Sequence, residues 1–160
     1  VIFRYIGAMR KSVLIAAAML ATALPAAAQE RQWSLDATDQ DAFLVFGVPE
    51  TEDVGLSFWC AIQSGKSKIF LPSANERLTP GHSGAMSIMA GDVTAKLEGT
   101  VSQNDETGAP SLEAEIPTSH PLFAALRKAD RMHITVLGED HAFPLADADF
   151  DGLLKLCDKP

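Results

Sequence analysis

Val93-Thr94-Ala95-Lys96-Leu97-Glu98-Gly99-Thr100-Val101 alternates small or apolar residues with polar ones at every step. Side chains of a β-strand point to opposite faces in turn, so this stretch has one buried face and one wet face. Such half-buried strands belong to antiparallel sheets. Leu112, Ala114 and Ile116, interleaved with Glu113 and Glu115, repeat the pattern after the polar, turn-forming run Ser102 to Pro110. Gly91-Asp92, just upstream, is a tight-turn signal that leads back to a strand over Ser83–Ala90.

Working toward the N-terminus, the punctuation from Trp33 onward is that of an all-β meander. Ser67–Leu71 is a strand set off by Gln63-Ser64-Gly65-Lys66, and a loop with Asn75, Pro80 and Gly81 runs from Pro72 to Ser83. Leu56, Phe58, Cys60 and Ile62 share one face of the preceding strand. Ala42 to Val48 is continuously apolar, the pattern of a strand covered on both faces, and the acid-rich stretch from Pro49 to Gly55 is a turn.

Toward the C-terminus the signals mix. Ser119 is expected to cap a short helix that has Pro121 in its first turn and buries Leu122, Phe123 and Leu126. Met132–Leu137 and His141–Leu145 flank Gly138-Glu139-Asp140 as a hairpin. Phe150, Leu153, Leu154 and Cys157 recur at i, i+3, i+4 and i+7, one apolar stripe of a last helix capped by Asp147 or Asp149. The fold class is therefore mainly β: an antiparallel sandwich or open barrel of seven or eight strands with two short helices, the last one C-terminal.

The first 28 residues read separately. Met9-Arg10-Lys11 is a basic n-region and the true start is expected at Met9. Val13 to Leu24 is an uncharged apolar run, Pro25 breaks it, and Ala26-Ala27-Ala28 offers small residues for cleavage. That order is a secretory signal peptide, and the apolar run is short for a membrane span of about 20 residues. Residues 29–160 then form a single mature β domain, periplasmic or secreted, with no stable membrane anchor after cleavage. Residues 1–28 hold three bases (Arg4, Arg10, Lys11) and no acid, so the remainder keeps 10 bases against 21 acids, a formal charge of −11. A surface that negative repels phosphate backbones, which excludes nucleic acid as a partner class. A basic partner or a divalent cation stays compatible with it.

Cys60 and Cys157 are the two cysteines of the chain. Both are placed facing the core, in an oxidising compartment, so a disulfide pinning the terminal helix onto the sheet is expected. It closes a loop of about 100 residues, worth up to about 4–5 kcal/mol in the chain-entropy model.

Three patterns carry possible chemistry. Asp147, Asp149, Asp151 and Asp158 stand at positions 1, 3, 5 and 12 of a calcium loop, with Gly152 at 6 and Leu154 at 8. Lys155 at position 9, the short Asp158 and the helical stripe through Phe150 to Cys157 oppose that reading, and a capped helix with an acidic first turn is the competing one. No cofactor is expected, with calcium at this loop as the alternative. Gly81-His82-Ser83-Gly84-Ala85 imitates a nucleophile elbow, but Ala85 replaces the second Gly and no helix pattern follows Ser83. His133 and His141 straddle the hairpin and are candidates to pair across it for zinc, with Asp140 adjacent and no third ligand evident; His82 and His120 are isolated. Trp59, opposite in parity to Cys60, sits between layers or on an exposed face, with core the default and partner binding the alternative. Met86 and Met89 are assigned to packing rather than copper ligation.

The run Leu56-Ser57-Phe58-Trp59-Cys60 with its Lys-flanked next strand, and the ending Phe143-Pro144-Leu145…Phe150…Leu154…Cys157, resemble small exported bacterial envelope proteins. The families are the type VI secretion-associated periplasmic proteins and, less closely, the invasion-associated locus B family. The resemblance implies a β-sandwich-like envelope protein with one Cys on a mid-chain strand and another near the C-terminus, and a non-catalytic role. No functional residue is carried over from those families to this chain. The expected function is a non-enzymatic periplasmic module that binds an envelope protein or small ligand. The alternatives are a calcium-stabilised module and a small hydrolase acting through Ser83.

Overall fold

A computed structural model describes residues 30–105 and 107–160. The segment read as a signal peptide lies outside the described residues. Among the described residues nine strands are formed: β1 (Gln32–Ala37), β2 (Asp41–Gly47), β3 (Val54–Ala61), β4 (Lys66–Leu71), β5 (Ser83–Ala90), β6 (Val93–Gln103), β7 (Pro110–Pro117), β8 (Arg131–Val136) and β9 (Glu139–Pro144). Helix α1 (Pro121–Leu126) precedes β8, and α2 (Phe150–Cys157) ends the fold. All strand pairs are antiparallel, in one sheet of order β1-β2-β3-β4-β7-β6-β5-β8-β9, curled into a half-barrel. Of the two expected architectures it is the open barrel.

Alternation decides which face turns inward. Ala95 and Val101 of β6 are buried while Thr94, Lys96, Glu98 and Thr100 are exposed. On neighbouring strands Leu112, Ala114, Ile116, Met86 and Ile88 join them. The two helices fill the hollow of this concave face. α1 lies over β5 and β6 and α2 over β2 and β3. They meet each other through Phe123 and Phe150, with ring centroids 6.3 Å apart. The loop from Pro72 to His82 carries the chain from β4 past β7 and β6 to β5, and buries Ala74 and Leu78 on the way.

The disulfide joins Cys60 on β3 to Cys157 on α2, with Cα atoms 5.8 Å apart and 97 residues of separation. The same contact caps the helix. Gln63 and Gly65 donate their N–H groups to the carbonyls of Leu156 and Cys157, each at 2.8 Å. Carbonyls that a helix end leaves unpaired are thereby satisfied by the turn after β3. Gly65 makes that approach with φ of 72°, a conformation that costs glycine little.

Several expectations need correction. A ninth strand, β1, precedes the run from Ala42, giving nine rather than seven or eight. β2 is not covered on both faces: Ala42 and Leu44 are buried, whereas Phe43 and Val45 are partly open on the convex side. The cap of α1 is His120, whose Nδ1 accepts from the Leu122 N–H at 3.1 Å, rather than Ser119. The β8–β9 turn is Leu137-Gly138, with φ of 50° and 85°, so Glu139 and Asp140 belong to the strand. Positive φ at both turn residues matches the right-handed twist of the hairpin arms.

Candidate functional site

The convex face carries apolar side chains that the core does not use. Strand register lines up Asp36, Phe43, Trp59, Lys68 and Glu115 across five neighbouring strands, and Val45, Ser57, Phe70 and Glu113 in the adjacent row. Phe43 and Trp59 stack at 6.2 Å with planes 19° apart, and the Lys68 ammonium sits 4.6 Å above the indole. Trp59 Nε1 donates to Glu113 Oε2 at 3.3 Å, and Lys68 Nζ donates to the other oxygen at 3.1 Å. Lys66 pairs with Glu115 at 2.7 Å. Phe43, Val45, Trp59 and Phe70 are all partly exposed. Trp59 is thus on the open face, against the core default.

Both lysines of this patch are bonded to glutamates. Asp36 and Asp41, beside Phe43, have no cation within bridging distance among the described residues. The patch is an apolar centre with a net acidic border.

At one end of the half-barrel two clefts of about 650 and 530 Å³ share Ser73. Their walls are already engaged. Asn75 Nδ2 donates to Val136 O and Glu139 Oε2, Arg77 to Leu137 O, and Arg31 to Asp53 Oδ1 at 2.6 Å. His141 Nε2 meets the Ala74 carbonyl at 2.9 Å, which makes it the protonated ring nitrogen. The Asn75, Arg77 and His141 contacts tie the end loop to the last hairpin, while the Arg31–Asp53 pair joins the residue before β1 to the one before β3.

On the convex side of that hairpin, His133 Nδ1 lies 2.8 Å from Asp140 Oδ2, and Thr135 donates to Oδ1 at 3.3 Å. The hydrogen bond from His133 holds the Asp140 carboxyl below the usual aspartate range, helped by the nearby imidazole charge and by Thr135. His133 does not pair with His141. Register places His133 opposite Ala142 and His141 opposite Ile134, so the two imidazoles occupy opposite faces of the sheet. The zinc pair is not assembled.

The four aspartates of the calcium pattern are likewise spread out. Asp149 Oδ1 caps α2 by accepting from Gly152 N at 2.8 Å, and Asp151 Oδ1 binds Arg127 at 2.8 Å. Asp158 lies beyond the far end of the helix, about 13 Å of axial rise from Asp149. No three His, Cys, Asp or Glu among the described residues gather at a metal-binding separation. Ser83 opens β5 opposite Thr100 and leads into a strand, not the helix an elbow requires. His82 turns to its own loop, with Nδ1 3.4 Å from Pro80 O.

Met86 is buried as expected. Met89 is not: it is 44% exposed, directly opposite His133. Strand alternation alone sets Met86 and Met89, three residues apart, on opposite faces; what no local signal shows is that His133 stands opposite, since that depends on β5 pairing with β8 across more than forty residues. No family model, curated protein or solved structure matches the chain.

Proposed function

We propose that this chain is an exported, disulfide-stapled, non-enzymatic module that binds a protein partner through the convex face of β2–β4. The observation that carries the reading is the apolar row Phe43–Trp59 with Val45 and Phe70 beside it. The concave face already packs both helices, so this second apolar surface serves no purpose in forming the core. Contiguous aromatic and aliphatic side chains on a surface mark interaction sites, and Trp and Phe supply much of the energy in protein interfaces. The bonded lysines and the uncompensated Asp36 and Asp41 favour a partner with a basic rim. The apolar stretch before Ala26-Ala27-Ala28 and a buried disulfide support the extracytoplasmic address, since such bonds persist where thiols oxidise. Among the described residues no helix is long and apolar enough to cross a membrane.

The test is capture from envelope extract by the folded domain, compared with Phe43→Glu and Val45→Glu variants of unchanged melting temperature. A partner retained by the parent, lost by both variants and rebound in purified form supports the reading. Capture that both variants retain, or no saturable capture at all, overturns it.

A further inference from the structure

Met89 and His133 face each other across the β5–β8 ladder on the exposed side of the sheet. Directly opposed residues have Cβ atoms about 4.5–5.5 Å apart, close enough for a thioether sulfur and an imidazole nitrogen to reach one point between them. The imidazole is already oriented. Its Nδ1 is engaged by Asp140 on β9, the strand on the far side from β5. Nε2 is the ring nitrogen left over, and no hydrogen-bond partner occupies it among the described residues. A carboxylate bonded to the remote ring nitrogen is the arrangement that fixes the tautomer and raises the basicity of metal-ligating histidines. Met89 is 44% exposed, while Met86 and Met132 are buried.

We infer that Met89 Sδ and His133 Nε2 form a surface site for a soft monovalent metal ion, copper(I), with Asp140 as the group that positions the imidazole. Thioether sulfur selects copper(I) over harder ions, and imidazole serves copper equally well. The site lies on β5 and β8, far along the sheet from the β2–β4 face, and stands or falls independently of partner binding.

The experiment is anaerobic titration of the oxidised domain with copper(I), held reduced by ascorbate and competed by a chromophoric chelator. The expected result is saturable binding of one ion, lost in Met89→Leu and in His133→Gln, and weakened about tenfold in Asp140→Asn. Silver(I), redox-inert and equally soft, should shift the Met89 methyl resonance in the same protein. Zinc should bind no more weakly to Met89→Leu than to the parent. Melting temperatures check that each variant is folded. Absence of saturable copper(I) binding by the parent overturns the inference. So does binding that either ligand variant retains at full strength.

Discussion

The indole Nε1 of Trp33, on the first strand of the sheet, donates to the carbonyl of Pro144, on the last, at 2.6 Å. The two edges of a nine-stranded sheet are therefore joined at one point by a side chain rather than by a ladder. Phe46 and Phe143 meet beside this bond with centroids 5.8 Å apart, and the Trp33 ring packs on Phe46, Phe58 and Phe150. Curling the sheet this far gives the two helices a hollow to fill, and the seam at Trp33 holds the curl.

Trp33→Phe keeps an aromatic ring in the cluster and removes the N–H. The Pro144 carbonyl then loses its partner in a part-buried place, which costs about 1–3 kcal/mol. Hydrogen exchange of β9 amides should accelerate more than that of β6 or β7. Equal acceleration throughout would show that the seam carries no local role.

How much of this was legible from residues alone depends on the range of the signal. Alternation in Val93–Val101 and Leu112–Ile116, and the stripe from Phe150 to Cys157, are local, and the structure places each as read. Phe43 and Val45 defeated the reading of Ala42–Val48 because an apolar residue lying beside Trp59 on an open face looks the same in sequence as one buried between layers. β1 escaped because Trp33 and Leu35 are its main inward apolar residues, too few to show a period. The faces of His133 and His141 depend on the position of the hairpin turn, and a shift of one residue reverses every side chain. The pairing of β5 with β8 is set by the crossover through α1, and nothing local encodes it.

Reduction of Cys60–Cys157 should destabilise the domain by about 2–5 kcal/mol, since the bond closes a long loop. α2 is anchored by the disulfide, by Phe150, Leu153 and Leu154 in the core, and by the Gln63 and Gly65 amides. The helix should therefore detach first. A thermal melt with and without reductant, followed by the helical circular dichroism signal, reads both effects. An unchanged melt would mean that the core alone fixes α2.

Asp140 is held below the ordinary aspartate range mainly by the His133 hydrogen bond. A depressed carboxyl contributes stability that is present above its unfolded value and is lost as pH falls through the folded one. The β8–β9 hairpin should thus keep its His133–Asp140 contact through neutral and mildly acidic pH, and loosen only below the usual carboxylate range. Carboxyl carbon shifts followed against pH give the midpoint for Asp140. His133→Ala should raise it, and a midpoint that does not move would assign the depression to some other group.

Gly99 interrupts the apolar positions of the most regular strand, at a place where valine would complete the alternation. The backbone explains it. A Cβ on Gly99 would fall well inside contact distance of the Glu113 carbonyl and close against the Ala114 side chain, both on the paired strand β7. The obstructing atoms are a backbone carbonyl and a Cβ in the middle of the sheet, and neither has a rotamer through which to yield. The β6–β7 ladder must open instead, and it lies at the centre of the strand order. Gly99→Ala should cost about 2 kcal/mol or more, within the range of strongly disruptive single substitutions, and Gly99→Val more still. The higher strand propensity of valine, worth at most about 1 kcal/mol, does not offset the clash. Gly91→Ala is the comparison: its turn leaves open space around the added methyl, and only its φ of 57° resists the change. Urea unfolding of the variants orders them. If Gly99→Val unfolds at the parent's midpoint, the close approach of β6 to β7 is not what selects glycine there.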